Sequence, residues 1–280
     1  MGDGERGIGA VEVNRFLVSY AYMSPPMQEA LFSSGAKILI DSGAFTAWKS
    51  GKPIELEAYR DWLLAHQDKV WGYLNLDVVG DPEGSEVNLA FLRAAGLDPI
   101  PVITRGMTLR QAMPMQDSQG RVAIGGLVGT PDKLKFVTAL RPALAGKKVH
   151  VLGTFNPEIL NLPDVATADA STGTNALRFG ALRFIYRGAR HSLTRAHFTN
   201  VLSPAAAYLL AVTGATAEGL RGPWVNSIGV FREVAFRVAV LNAARLSALT
   251  STEVFDVVAG KGDLLAFVRA RAFLVSKGLL

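Results

Sequence analysis

Residues 121–153 read RVAIGGLVGTPDKLKFVTALRPALAGKKVHVLG. Two short apolar runs, RVAIGGL at 121–127 and KVHVLG at 148–153, flank a stretch with helix chemistry. Thr130 reads as its N-cap and Pro131 as its first turn, where a missing backbone N–H breaks no helical hydrogen bond. A strand, a helix and a second strand in about thirty residues make one β/α/β unit, and such units imply a parallel sheet.

The same alternation runs outward in both directions. Further strand candidates lie at 15–22, 37–41, 70–77, 99–104 and 165–169, with a weaker one at 177–185. Between them, SEVNLAFLRAAG (85–96) stops at a helix-ending glycine, Gly96. Asn156-Pro157 opens a helix with the same chemistry as Thr130-Pro131. Eight strands alternating with helices favour an α/β fold of the (β/α)8 TIM-barrel type over an open doubly wound sheet. The barrel core is expected over residues 13–190. Residues 1–12 read as a flexible tail, although GDGERG (2–7) has the spacing of a dinucleotide fingerprint. No strand precedes that motif, so it carries no cofactor site. Residues 191–280 change character. Segments 196–212, 230–249 and 252–275 all read as amphipathic helices, giving a helical, Arg-rich C-terminal region packed on the barrel.

Composition narrows the chemistry. The chain is 49% hydrophobic and 19% charged, enough for a large core. It has no cysteine, which excludes disulfides, thiolate zinc sites and cysteine nucleophiles. Its four histidines form no metal motif, and no metal or other cofactor is called for. No apolar run approaches the ~18 residues of a membrane span. The first residues lack an apolar signal region, so a cytoplasmic protein without a membrane partner is expected. Residues 1–140 hold 13 Lys/Arg against 16 Asp/Glu, whereas residues 141–280 hold 16 against 8. That basic half suggests an anionic polymer as partner, with Arg178, Arg183, Arg187, Arg190 and Arg195 as the residues to grip it.

Catalytic groups of a barrel sit at the C-terminal ends of its strands. Strand two ends in Asp41-Ser42-Gly43, strand three in Asn75-Leu76-Asp77, strand five in Gly125-Gly126-Leu127 and strand seven in Asp169-Ala170-Ser171. Each aspartate has a structural role open to it: Asp41 as a helix cap or a partner of neighbouring amides, Asp77 as a loop cap, Asp169 in an Asx-turn. Their common register points instead to one pocket. Three carboxylates without a metal suit glycosyl transfer by two displacements. On their own they fit a sugar hydrolase and a base-exchange enzyme equally.

Five motifs in order, IDSGAF (40–45), NLDVVGDP (75–82), VAIGGL (122–127), VHVLGTFNPEIL (149–160) and ATADASTG (166–173), resemble those of the tRNA-guanine transglycosylases. The resemblance is closest to the short phage-type relatives that place 7-deazaguanines in DNA. It implies a barrel that exchanges guanine for a 7-deazaguanine through a covalent aspartyl intermediate. Asp169 matches the nucleophile and Asp41 the acid/base. Asp77 matches the carboxylate on the base edge. Phe45 matches the stacking aromatic, with Ser42 beside it in the motif. Gly125, Gly126 and Leu127 match one wall, and Leu152 with Gly153 the other. The partners implied are DNA or tRNA, a free base such as preQ0 or preQ1, and a second copy in a homodimer. A phage-encoded member would work in the host cytoplasm. The tRNA enzymes hold a zinc on cysteines that this chain lacks, which favours DNA. Thr104 and Arg105 follow strand four, where the family carries a polar residue.

Overall fold

In the computed structural model, residues 13–280 are described, except for the side chains of residues 170, 172–174 and 224–226. The tail expected over residues 1–12 lies outside the described residues. The strands are β1 (Arg15–Ser19), β2 (Lys37–Asp41), β3 (Gly72–Tyr73), β4 (Val102–Ile103), β5 (Arg121–Ile124), β6 (Lys148–Val151), β7 (Val165–Ala170), β8 (Ala181–Tyr186), β9 (Ala189–Thr194) and β10 (Glu253–Val258). Eight of them form one sheet in the order β3-β2-β1-β10-β7-β6-β5-β4, and every pairing is parallel. The strands are short and buried along most of their length, as expected when both faces are covered. The fold is α/β with a curled, TIM-like sheet.

Side chains alternate between two apolar layers. Leu17, Leu39, Leu74, Ile100, Val102, Ala123 and Phe255 gather on the inner face. Phe16, Val18, Ile38 and Ile40 point the other way, against Tyr59 and Leu63 of helix Leu56–His66 and Leu264 and Phe267 of helix Lys261–Ser276. Val122, Ile124, Val149 and Val151 meet Val137 and Leu140 of helix Lys133–Leu144 in the same manner. The period of two within each strand sets this division. The two outer edges of the sheet meet at one parallel bridge, Leu74–Ile100. There Ile100 N donates to Tyr73 O at 2.8 Å and Asn75 N to Ile100 O at 2.9 Å.

The eighth strand comes from an unexpected place. Residues 177–185 were read as that strand, but β8 pairs antiparallel with β9 in a separate hairpin. Its two-residue turn, Arg187-Gly188, has φ of 48° and 73°, the left-handed pair that matches strand twist. The sheet position is filled by β10, between β1 and β7, within a segment (252–275) read as one helix. Helix Lys261–Ser276 follows it. Residues 191–280 are therefore helical only in part, and their strand belongs to the central sheet. The long helix Trp224–Thr250 carries the chain back to the strand-start end, and Lys37 and Arg15 pair with Glu253 there.

One cap also differs from expectation. The helix after β5 starts at Lys133, not Pro131, with Asp132 and not Thr130 at its N-cap position, and the Thr130 hydroxyl donates to Leu127 O at 3.0 Å. Arg105 draws Asp132, the residue before the helix, into an ion pair at 2.8 Å. Asn156 does cap its helix, accepting from Glu158 N at 3.2 Å. No helix among the described residues is long and apolar enough to cross a membrane.

Candidate active site

Parallel strands bring all their C-terminal ends to one side, and a cavity of about 540 Å³ opens there. Asp41 ends β2, Asp169 lies near the end of β7, and Asp77 stands four residues past β3. All three line this cavity, with Phe45, Gly125, Gly126, Leu127, Leu152 and Gly153. Ser42 is the exception among the expected binding residues. It is fully buried, and its Oγ accepts from Ala44 N at 3.4 Å, so it shapes the turn into helix Ala44–Ser50 rather than the wall.

Of the alternative structural roles, the bond to a neighbouring amide is taken by Asp41, which still lines the cavity. Helix Ala44–Ser50 begins after Gly43 with no side-chain cap, so Asp41 caps nothing. Asp41 instead takes the Gly43 backbone amide. Helix Pro82–Ala94 is capped by Asp81, whose carboxylate accepts from Gly84 N at 3.0 Å, leaving Asp77 to the cavity. Asp169 Oδ1 accepts from Gly153 N at 2.9 Å across the β6–β7 pair.

Electrostatics separate the carboxylates. Burial, with the charges of Asp77 and Asp169, pushes the Asp41 carboxyl up to about 7, against a smaller pull from the Gly43 amide. Burial raises Asp77 to about 6. At neutral pH Asp41 is thus a group that both holds and releases a proton, as an acid/base catalyst must. Asp77 ionises first and can accept hydrogen bonds.

Glycines allow the walls to close in. Gly126 has φ of 70° and Gly153 of 65°. A Cβ on Gly153 would lie 2.7 Å from Val128 Cγ2, and one on Gly125 would lie 3.1 Å from Val102 Cγ1. Arg105 fastens the diglycine loop, donating through Nε to Gly126 O at 3.0 Å while its guanidinium holds Asp132. Thr104 lines the cavity with a buried hydroxyl that has no protein partner among the described residues.

Further residues line the cavity, of which Val79 and Ser171 lie within the motifs. Trp48 stacks on Phe45 at 5.9 Å between ring centroids and is 61% exposed at the rim. Val79, Val128, Ser171, Leu17 and Val257 complete the wall. Beneath it, buried His150 reaches Asp169 Oδ1 through Nε2 at 3.3 Å and Thr167 Oγ1 through Nδ1 at 2.8 Å. Its sequence signal was its spacing of two from Leu152, which puts both on the inner face.

The five arginines divide. Arg183, Arg187 and Arg190 are exposed on the β8–β9 hairpin, and Arg178 is exposed on helix Thr172–Phe179. Arg190 donates to Phe155 O at 2.8 Å, which ties the hairpin to the loop after β6 at the cavity end of the sheet. Arg195 is occupied with structure, bonding the carbonyls of Arg221 and Gly222. No protein-family model, no curated protein and no solved structure matches this chain.

Proposed function

We propose that this chain is a transglycosylase of the kind its motifs resemble, exchanging guanine for a 7-deazaguanine in DNA. The observation that carries the reading is the convergence of Asp41, Asp77 and Asp169 on one cavity walled by Gly125–Leu127 and Leu152–Gly153. Its volume is that of a small-molecule site, which typically spans ~300–1,000 Å³. The sheet is taken to close as a (β/α)8 barrel through the Leu74–Ile100 bridge, with the cavity as its mouth.

In the proposed reaction, an oxygen of Asp169 attacks C1′ of the target nucleotide. The C1′–O bond forms as the C1′–N9 bond to guanine breaks, and Asp41 gives N9 its proton. A 7-deazaguanine then enters. It returns the N9 proton to Asp41 and bonds C1′, and the electron pair of the broken ester goes back to Asp169. Asp77 accepts the N–H groups of the base edge, and backbone amides of the diglycine loop meet its carbonyl. Phe45 and the aliphatic Leu127 and Leu152 hold the flat ring. The target nucleotide must leave its stack to enter.

Incorporation of a labelled 7-deazaguanine into DNA or tRNA tests this directly. Transfer to DNA that disappears in Asp169→Asn is the expected result. Transfer only to tRNA would move the polymer assignment. Release of guanine without incorporation would turn the reading to a hydrolase.

A further inference from the structure

The β6–β7 pairing slips by one residue. Val149 pairs with Val165, but His150 pairs with Thr167, so Ala166 is an extra residue opposite that step. Such a bulge re-aims the side chains after it. Without it His150 would face Ala166, and Thr167 and Asp169 would take the opposite parity. With it, His150, Thr167 and Asp169 share the inner face.

With Asp169 ionised, the hydrogen bonds place a proton on one ring nitrogen. A carboxylate is acceptor-only, so His150 Nε2 must carry a proton to satisfy Asp169 Oδ1 at 3.3 Å. Nδ1 meets the Thr167 hydroxyl at 2.8 Å, a partner able to donate or accept, which holds the ring in place. The ring is 2% exposed and packs edge-on against Phe255 at 6.0 Å, which fixes its plane. Gly153 N donates to the same Oδ1 at 2.9 Å. Both donors engage the same oxygen, Oδ1.

We propose that the Thr167–His150 pair is a positioning device for Asp169, built by the bulge at Ala166 and resting on the transglycosylase reading above. It presents one oxygen in a fixed direction. In the second displacement, when the C1′–O bond breaks and its electron pair returns to Asp169, the Nε2–H bond strengthens and eases departure. The proton stays on the imidazole throughout. A buried histidine that merely completes the core would give none of these kinetic effects.

Two measurements test the device. The ¹⁵N shifts of the His150 ring, which need no substrate, should report a proton on Nε2. Asp169→Asn should change the Nε2–H signal. A ring protonated on Nδ1 alone, or one indifferent to Asp169→Asn, overturns the proposal whatever the enzyme's activity. The second measurement follows the covalent adduct with DNA on a denaturing gel. His150→Phe should slow turnover at least about ten-fold, as loss of a donor to developing charge does. The adduct should accumulate, and KM for the incoming base should hold. Thr167→Val should do the same more weakly, and Thr167→Ser and His150→Gln should recover much of the rate. Turnover lost without adduct, in proportion to folded protein, would make His150 structural only. If the wild type exchanges no base, the function is wrong, and the ring tautomer still decides whether His150 holds Asp169.

Discussion

Asp41 and Asp77 lie at the ends of neighbouring strands, and the charge of Asp77 is, after burial, the largest influence lifting the Asp41 carboxyl to about 7. The two therefore titrate as a pair with opposite requirements. In the proposed reaction Asp77, raised to about 6, must be ionised to accept the base edge. Asp41, in that reaction, must be protonated to supply N9 of the leaving guanine.

Base exchange should accordingly peak in a narrow window between about pH 6 and 7. Below it Asp77 gains a proton and base affinity falls; above it Asp41 loses its proton and guanine departure slows. Asp77→Asn removes a like charge, so the Asp41 pKa should drop and the alkaline limb move to lower pH. Steady-state rates across pH 5–9, with Asp41 followed by carboxyl NMR, check both parts. An alkaline limb unmoved in Asp77→Asn would break the link.

Asp256 offers a test of stability instead of activity. It lies on β10, is 7% exposed, and has one carboxylate oxygen without a protein partner among the described residues. Burial raises it to about 8, against an opposing pull from Arg271. Its folded pKa lies above the unfolded value, so the native state binds the proton more tightly. Stability is full near pH 4 and falls as pH rises toward about 8. Asp256→Asn should remove that slope. Melting curves should match the wild type near pH 4 and gain on the order of 2–4 kcal/mol at pH 7–8. Equal gains at both pH values would mean that the proton is not the cause.

The parallel sheet was legible because each β/α/β unit announces itself locally, in an apolar run, a cap and a second run. Asp41, Asp77 and Asp169 were legible because strand ends and carboxylates coincide in sequence. β10 was not. EVFDVV is β-branched and stops at Ala259-Gly260, but it abuts an amphipathic helix, and the combined segment carries enough apolar residues at helical spacing to mask the change of period. Residues 177–185 misled in the converse way. Their alternation is real, but its partner is β9 and not the central sheet, which only tertiary pairing decides. His150 was visible as a histidine and invisible as a partner of Asp169. A one-residue bulge leaves no mark in composition, yet it determines which side chains meet.

Gly43 and Gly153 should resist substitution for different reasons. Gly43 has φ of 86°, and a Cβ there would meet Ser19 Oγ at 2.7 Å and Ala21 Cβ at 3.0 Å. Gly43→Ala should destabilise the fold by about 1–3 kcal/mol, through left-handed strain and the clash together. Gly153→Ala carries left-handed strain too, at φ of 65°, but its Cβ meets only Val128, a rim side chain 59% exposed that can move, and the change disturbs the amide that holds Asp169 Oδ1. Its loss should fall on turnover more than on melting temperature. Denaturant curves and exchange rates on both variants separate the effects. A Gly153→Ala enzyme of unchanged rate would remove that amide from the mechanism.

The rim makes the final prediction, because its arginines and its tryptophan should fail in different ways. Arg183 and Arg187 are exposed on the hairpin, whereas Arg195 is bonded to the carbonyls of Arg221 and Gly222. If the hairpin follows a phosphate backbone, single-stranded DNA should bind with a linear dependence of log affinity on log salt. Arg183→Ala and Arg187→Ala should each lower that slope by up to about 0.7. Arg195→Ala should lower the melting temperature and leave the slope alone. Trp48, stacked on Phe45 and 61% exposed, offers its outer face to a neighbouring base. Trp48→Ala should weaken strand binding by about 1–3 kcal/mol. It should do so at every salt concentration and with the base KM little changed, because stacking releases no counterions. Binding that ignores salt, or arginine variants that all lose stability and none lose slope, would remove the polymer from this face and leave the cavity to a small substrate.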